Sequence, residues 1–208
     1  MKATKRAIST TYTPEEIFSI FVEQHRLCSP LDPMADESFI LTPKTTIEEW
    51  TEVQDLLGWK ELARFFNQLF GISIPLEEWR MSFLPEDKKT IGDICRLIAA
   101  YAIKSQVEAK QILGVNCLAA SVFLELKARL KAKGVDTESL RPSSEVAPYL
   151  SKYFSPMVEE ITLTGIRVFD KIAYTTRNRV GSVEVPAGSI VTFRDVVNRI
   201  CEGDKLPY

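Results

Sequence analysis

Three short motifs occur twice in this chain, in the same order and roughly a hundred residues apart. Leu41-Thr42-Pro43-Lys44-Thr45 is echoed by Leu140-Arg141-Pro142-Ser143-Ser144. Ile72-Ser73-Ile74-Pro75 is echoed by Val183-Glu184-Val185-Pro186. Thr90-Ile91-Gly92-Asp93-Ile94 is echoed by Thr192-Phe193-Arg194-Asp195-Val196. The offsets are 99 (Pro43 to Pro142), 111 (Pro75 to Pro186) and 102 (Thr90 to Thr192). Unequal offsets require an insertion and then a deletion in the second copy. The shared order predicts a tandem duplication of one structural unit. The competing reading is one irregular helical domain with two similar caps.

The unit reads as helical. Thr13-Pro14-Glu15-Glu16 combines a cap, a proline for the first helical position and a capping-box glutamate. Ile17, Phe18, Ile20 and Phe21 follow at helical spacing, and the helix should end near Cys28. Pro30, Pro33 and polar residues around them make 29–44 a long loop. A second helix is predicted from about Leu56 to Phe70, with Gly71 ending it. Pro75-Leu76-Glu77-Glu78-Trp79 opens a third, and Thr90 caps a fourth carrying Ile91, Ile94, Leu97 and Ile98. In the second half, one helix spans about Cys117 to Lys133 and stops at Gly134. Its face carries Val122, Phe123, Leu126 and Leu130. In 161–187, β-branched alternation suggests a hairpin. The repeat suggests a helix over 166–180, and helix is the reading adopted. Residues 1–12 are expected to be a mobile arm.

Bulk properties exclude several classes. A formal net charge of -2 gives no general drive toward nucleic acid. No apolar run approaches the ~20 residues that a membrane helix needs. The basic start, Met1 to Arg6, lacks the apolar core of a secretory signal. Cys28, Cys95, Cys117 and Cys201 form no C-x-x-C pair, so no zinc site is predicted. Four buried, reduced thiols fit a cytoplasmic protein. His25 is expected on the polar side of the first helix.

The segment Leu41 to Ala100 resembles an acyl carrier protein. The resemblance rests on Phe70-Gly71-Ile72-Ser73-Ile74-Pro75 followed by Thr90-Ile91-Gly92-Asp93-Ile94, behind a leading helix and a long loop. It implies an all-α fold of two tandem carrier-like four-helix units, 13–104 and a divergent 105–208. Family members carry Asp-Ser-Leu at the head of their second helix, where the serine bears phosphopantetheine. Counting back from Phe70 without a gap puts Asp55-Leu56-Leu57 there. Leu56 has no nucleophile, so no cofactor is expected. The resemblance implies that Leu57 packs inward. Lys60, Glu61 and Arg64 make a mixed surface where carriers are acidic. In the second unit the gapless position counted from Pro186 is Arg167.

Other groups read as structural. Glu77, Glu78 and Asp55 suit helix N-termini, and Ser143-Ser144-Glu145 suits a cap. Ser38, in Asp36-Glu37-Ser38-Phe39, reads as a loop residue. Lys127, Arg129, Lys131 and Lys133 read as a solvated helix face. Trp59, Phe65, Phe66, Phe70, Trp79 and Phe83 read as core, part of which could line an acyl cavity. The expectation is a non-catalytic binding or scaffolding module, with a possible protein partner in acyl metabolism and no membrane or nucleic-acid role. The alternatives are a genuine carrier using an atypical serine, or an acyl- or lipid-binding protein.

Overall fold

The structure is a computed structural model that describes residues 11–54, 56–104, 109–112, 115–176 and 182–203. The described residues are mostly helical. In chain order the helices are α1 (Pro14–Cys28), α2 (Ile47–Gln54), α3 (Trp59–Phe70), α4 (Leu76–Phe83) and α5 (Ile91–Tyr101), then α6 (Leu118–Ala132), α7 (Ala147–Lys152), α8 (Phe154–Thr162) and α9 (Phe193–Glu202). Two antiparallel hairpins interrupt them: β1 (Lys110–Ile112) with β2 (Val115–Cys117), and β3 (Lys171–Thr176) with β4 (Ser182–Ala187). None of the described helices is long and apolar enough to cross a membrane.

Two compact units emerge. The first holds the described residues up to Phe18, Leu41–Glu52 and those from Leu56 to 104. The second holds Ser19–Ile40, Val53 and Gln54, and the described residues from 109 onward. The border expected at 104/105 therefore accounts for only one of the divisions, because the latter part of α1 groups with the C-terminal half. Thr11 and Tyr12 are not part of a mobile arm. Thr11 bridges Ile103, and Tyr12 packs edge-on against Phe70. Residues 1–10 of that expected arm lie outside the described residues.

The first unit is built around aromatic rings. Trp79 and Phe83 are fully buried, Phe66 lies against both Trp50 and Trp79, and Trp59 meets Phe83. Asn67 organises the exit from α3. Its amide oxygen accepts from the Ile74 N–H (3.1 Å) and from Trp79 Nε1 (3.2 Å), and its amide nitrogen donates to the Ile74 carbonyl (3.1 Å). A buried tryptophan N–H is thereby satisfied, as a buried donor must be. Gly71 takes a left-handed φ of 63° to end the helix.

The same closure occurs in both units. An α-helix begins with N–H groups that lack intrahelical partners. In α5, Ile91 N–H donates to Thr45 O and Gly92 N–H to Pro43 O, both at 3.0 Å. Asp93 N–H and Thr90 complete a capping box. Ile47 N–H returns a bond to Lys89 O, and Thr46 bridges Thr90. In α9, Phe193 N–H donates to Ser144 O (3.0 Å) and Arg194 N–H to Pro142 O (2.7 Å). Asp195 and Thr192 form the capping box, Val146 N–H bonds Val191 O, and Glu145 bridges Thr192.

Three expectations need correction. First, 166–176 is not helical: 166–170 is irregular and 171–176 is strand β3, while 177–180 lie outside the described residues. Alternating β-branched residues pair across the hairpin better than they would line a helix. Second, α3 begins at Trp59, not near Leu56, and a separate helix α2 precedes it. Third, Val183–Pro186 lies in β4 and is not the counterpart of Ile72–Pro75. A similar glycine turn and extended link, Gly165-Ile166-Arg167-Val168, follows α8. Gly165 turns with φ 68°, and Val168, like Ile74, is buried. Arg167 therefore sits in an extended link rather than at the head of a helix.

Two expected outcomes follow from this architecture. Burial pushes the Asp93 carboxyl up, but the Thr90 bonds and Arg96 outweigh it and hold the group below the usual range. Asp195 is held low chiefly by the Thr192 N–H. A depressed folded-state value contributes stability above about pH 4 that is lost as pH falls through it. Asp195→Ala should cost about 1 kcal/mol in urea unfolding at neutral pH, and the loss should shrink in acid. The segment 105–208 expressed alone should lack a cooperative thermal transition. It loses Leu27 from its core and the Arg26 bonds to the Phe169 and Asp170 carbonyls.

Candidate functional site

Leu56 and Leu57 lie in the short passage between α2 and α3, and Asp55 lies outside the described residues. Leu56 is half-buried, and its N–H reaches the Thr51 carbonyl at 3.4 Å. Leu57 does not pack inward: it is 62% exposed. The late start of α3 explains this, because Gly58 rather than Asp55 caps the helix and Leu57 stands outside the first turn. Around this helix head, Lys60, Glu61 and Arg64 are all exposed. Arg64 pairs with Glu61 at 3.3 Å, and Lys60 Nζ lies 5.6 Å from the Trp59 ring centre. Arg64 and Glu61 are thus paired within the helix itself.

The remaining sequence candidates serve local structure. Ser38 is an exposed loop residue whose hydroxyl donates to Asp36 (2.6 Å), as its N–H does (2.9 Å). Glu77 is held below the usual carboxylate range by its hydrogen bonds from Arg80, and Glu78 accepts from the Tyr101 hydroxyl at 2.7 Å. Ser144 Oγ accepts from the Arg141 N–H (3.0 Å), which shapes the loop before α7. The thiols are all free, but only Cys95 is buried; Cys28, Cys117 and Cys201 are half-buried. Burial, then the Glu159 charge, pushes the Cys28 thiol up to about 11, which leaves it a poor nucleophile.

The basic residues of α6 are not a simple solvated face. Lys127 Nζ donates to the Leu140 carbonyl at 2.9 Å. Arg129 pairs with Glu125 at 2.9 Å and reaches Glu160 at 3.6 Å. Lys133 Nζ lies 2.5 Å from Glu159 and 3.0 Å from Glu160. Glu160 is 5% exposed, and its Oε2 has no hydrogen-bond partner despite the nearby Arg129 charge. Lys131 alone of the four is exposed. Helical spacing places these side chains on α6, but it carries no information about the acidic residues that α8 brings opposite.

His25 is the other departure. It is buried in the second unit rather than on a polar face. Its Nε2 lies 3.1 Å from the Phe39 carbonyl, and its Nδ1 lies 2.7 Å from Ser29 Oγ and within bonding reach of Gln54 Nε2. A carbonyl can only accept, so Nε2 carries the proton and Nδ1 accepts. Burial lowers the imidazole's affinity for a second proton; the Phe39 carbonyl and Asp36 oppose that shift but do not cancel it. Ser29 and His25 resemble a nucleophile and base, but Ser29 is 4% exposed and sealed from any substrate. The i, i+4 spacing of His25 and Ser29 was visible in the sequence; Gln54 and Phe39 were not, because the loop brings them in.

Comparison with protein-family models, curated proteins and solved structures finds no match. The ion network provides the test of this region. Lys133→Met should cost about 3 kcal/mol in urea unfolding, because it leaves the buried Glu160 carboxylate undercompensated. Adding Glu160→Met should recover most of that loss.

Proposed function

We propose that this chain is a non-catalytic, acyl-carrier-like protein made of two tandem units, the second divergent, that has lost its phosphopantetheine serine and acts as a protein-binding or scaffolding module. The observation that carries the reading is the head of α3. The gapless attachment position, Leu56, offers a hydrocarbon where a phosphodiester needs an oxygen. The neighbouring Leu57 is exposed.

The duplication is supported by the matching closures of α5 and α9. Pro43 corresponds to Pro142, Thr45 to Ser144, and the Thr90–Asp93 box to the Thr192–Asp195 box, each with the same bond pattern. The corrected link pairs Gly71-Ile72-Ser73-Ile74 with Gly165-Ile166-Arg167-Val168, at an offset of 94 (Gly71 to Gly165). A partner within acyl metabolism belongs to the same reading and rests on the carrier resemblance.

Ser38 is an exposed serine, but its hydroxyl is engaged by Asp36 and no helix begins there. Co-expression with a phosphopantetheinyl transferase, followed by intact-mass measurement beside a genuine carrier as control, should leave this chain's mass unchanged. A gain of one arm would overturn the proposal in favour of a true carrier.

A further inference from the structure

His25 joins three pieces of chain within the second unit. It projects from the last turns of α1. Its Nε2–H holds the carbonyl of Phe39, in the loop that follows the 3₁₀ turn Ser29–Leu31. Its Nδ1 faces the Ser29 hydroxyl and the Gln54 side-chain amide at the end of α2. The loop is joined to the same end of α2 by the Asp36 N–H, which donates to the Val53 carbonyl at 2.9 Å. One imidazole therefore gathers the helix, the loop and the end of α2.

We propose that His25 is a proton-sensitive latch: the neutral ring holds the loop at 32–40 and the end of α2 against α1, and the protonated ring releases them. The bonds as placed suit the neutral ring. Ser29 and Gln54 both bring donors toward Nδ1, which accepts through its single lone pair. A proton on Nδ1 would place N–H against the Gln54 amide hydrogens and put a positive charge at a site that is 7% exposed. Ser29 can rotate to accept, and the Gln54 amide can turn only by giving up its present bond.

The charges around the ring do not rescue the protonated form. Asp36, on the loop, is the charged group acting on His25 among the described residues, and it is fully exposed, so water screens it. Ser29 and Gln54 are neutral, and Cys28 on α1 stays protonated because its thiol is pushed up. Burial therefore dominates and lowers the folded-state value. A histidine with a depressed folded value binds more protons once released. The latch is fully closed above about pH 6.5 and weakens as pH falls toward the folded value. That window lies well above the acid range in which Asp93 and Asp195 titrate. The latch does not depend on the carrier-like reading.

Because the chain holds one histidine, its ring resonances are unambiguous in NMR. The full chain should show the Nε2–H tautomer near pH 7.5 and a titration midpoint below 6.5. Amide hydrogen exchange, corrected for intrinsic rates, should rise about tenfold at 32–40 and at the end of α2 between about pH 7.5 and 5.5, with α9 unchanged. His25→Gln should abolish that pH response. Gln54→Glu, which puts a carboxylate beside Nδ1, should raise the midpoint above 6.5 and keep the loop protected near pH 5.5. If His25→Gln fails to fold, the wild-type titration and the Gln54→Glu variant still decide. A midpoint at or above 6.5 in the wild type, an Nδ1–H tautomer, or an unchanged loop response in either variant would overturn the latch.

Discussion

The closure of the last helix in each unit governs much of the architecture. The first N–H groups of α5 and α9 face loop carbonyls instead of water. Leaving such donors unpaired in a buried setting costs on the order of 1–3 kcal/mol each. Each loop is therefore held in place by two carbonyls, at Pro43 and Thr45 or at Pro142 and Ser144. The residues that follow, Ile47 and Val146, are drawn into the core, where Ile47 opens α2 and Val146 precedes α7. Thr90 and Thr192 act twice, as caps of their own helices and as bridge partners of the loops. A lost cap would thus free a loop as well as a helix end.

The two units solve burial differently. The first fills its centre with rings, and a single amide side chain, Asn67, handles the buried polar groups at the α3–α4 turn. The second buries charge. Glu23, 3% exposed, is held by Arg26, which also donates to two carbonyls ahead of β3. Glu160 is held by Lys133 and Arg129. Buried ion pairs add little net stability but penalise alternatives that separate them. In this unit they tie α1 to the chain leading into β3, and α6 to α8.

Features set by local backbone chemistry and features set by where a helix starts fared differently. The glycine turn after α3 and the threonine cap of α5 depend on local backbone chemistry, so they keep their sequence signature. The head of α3 depends on where the helix starts, and there Gly58 displaces the start by three residues. Leu57, read as an inward residue, ends up exposed for that reason. That Leu56 lacks a hydroxyl needs no such geometry, since it is a property of the residue itself.

The capping boxes at Thr13, Thr90 and Thr192, the helix stripes and the terminating glycines were legible in the chain because each depends on residues within a few positions of one another; the aromatic core was legible only as a supply of large rings. The α2 helix was missed between the loop expected at 29–44 and the helix expected from Leu56, although its Thr46–Glu49 capping box and the spacing of Ile47, Trp50 and Val53 marked it. Residues 171–176 carried both a strand signal and a repeat signal, and only cross-strand pairing with β4 decided between them. The second unit's makeup, with part of α1 joining the C-terminal half, was equally hidden. So were the partners of His25 and Glu160. Sequence alone determined the capping boxes at Thr90 and Thr192, the glycine stops, and that the residue at position 56 carries no hydroxyl. Tertiary structure decided which charges and donors met, because burial and pairing depend on segments distant in the chain being brought within a few ångströms.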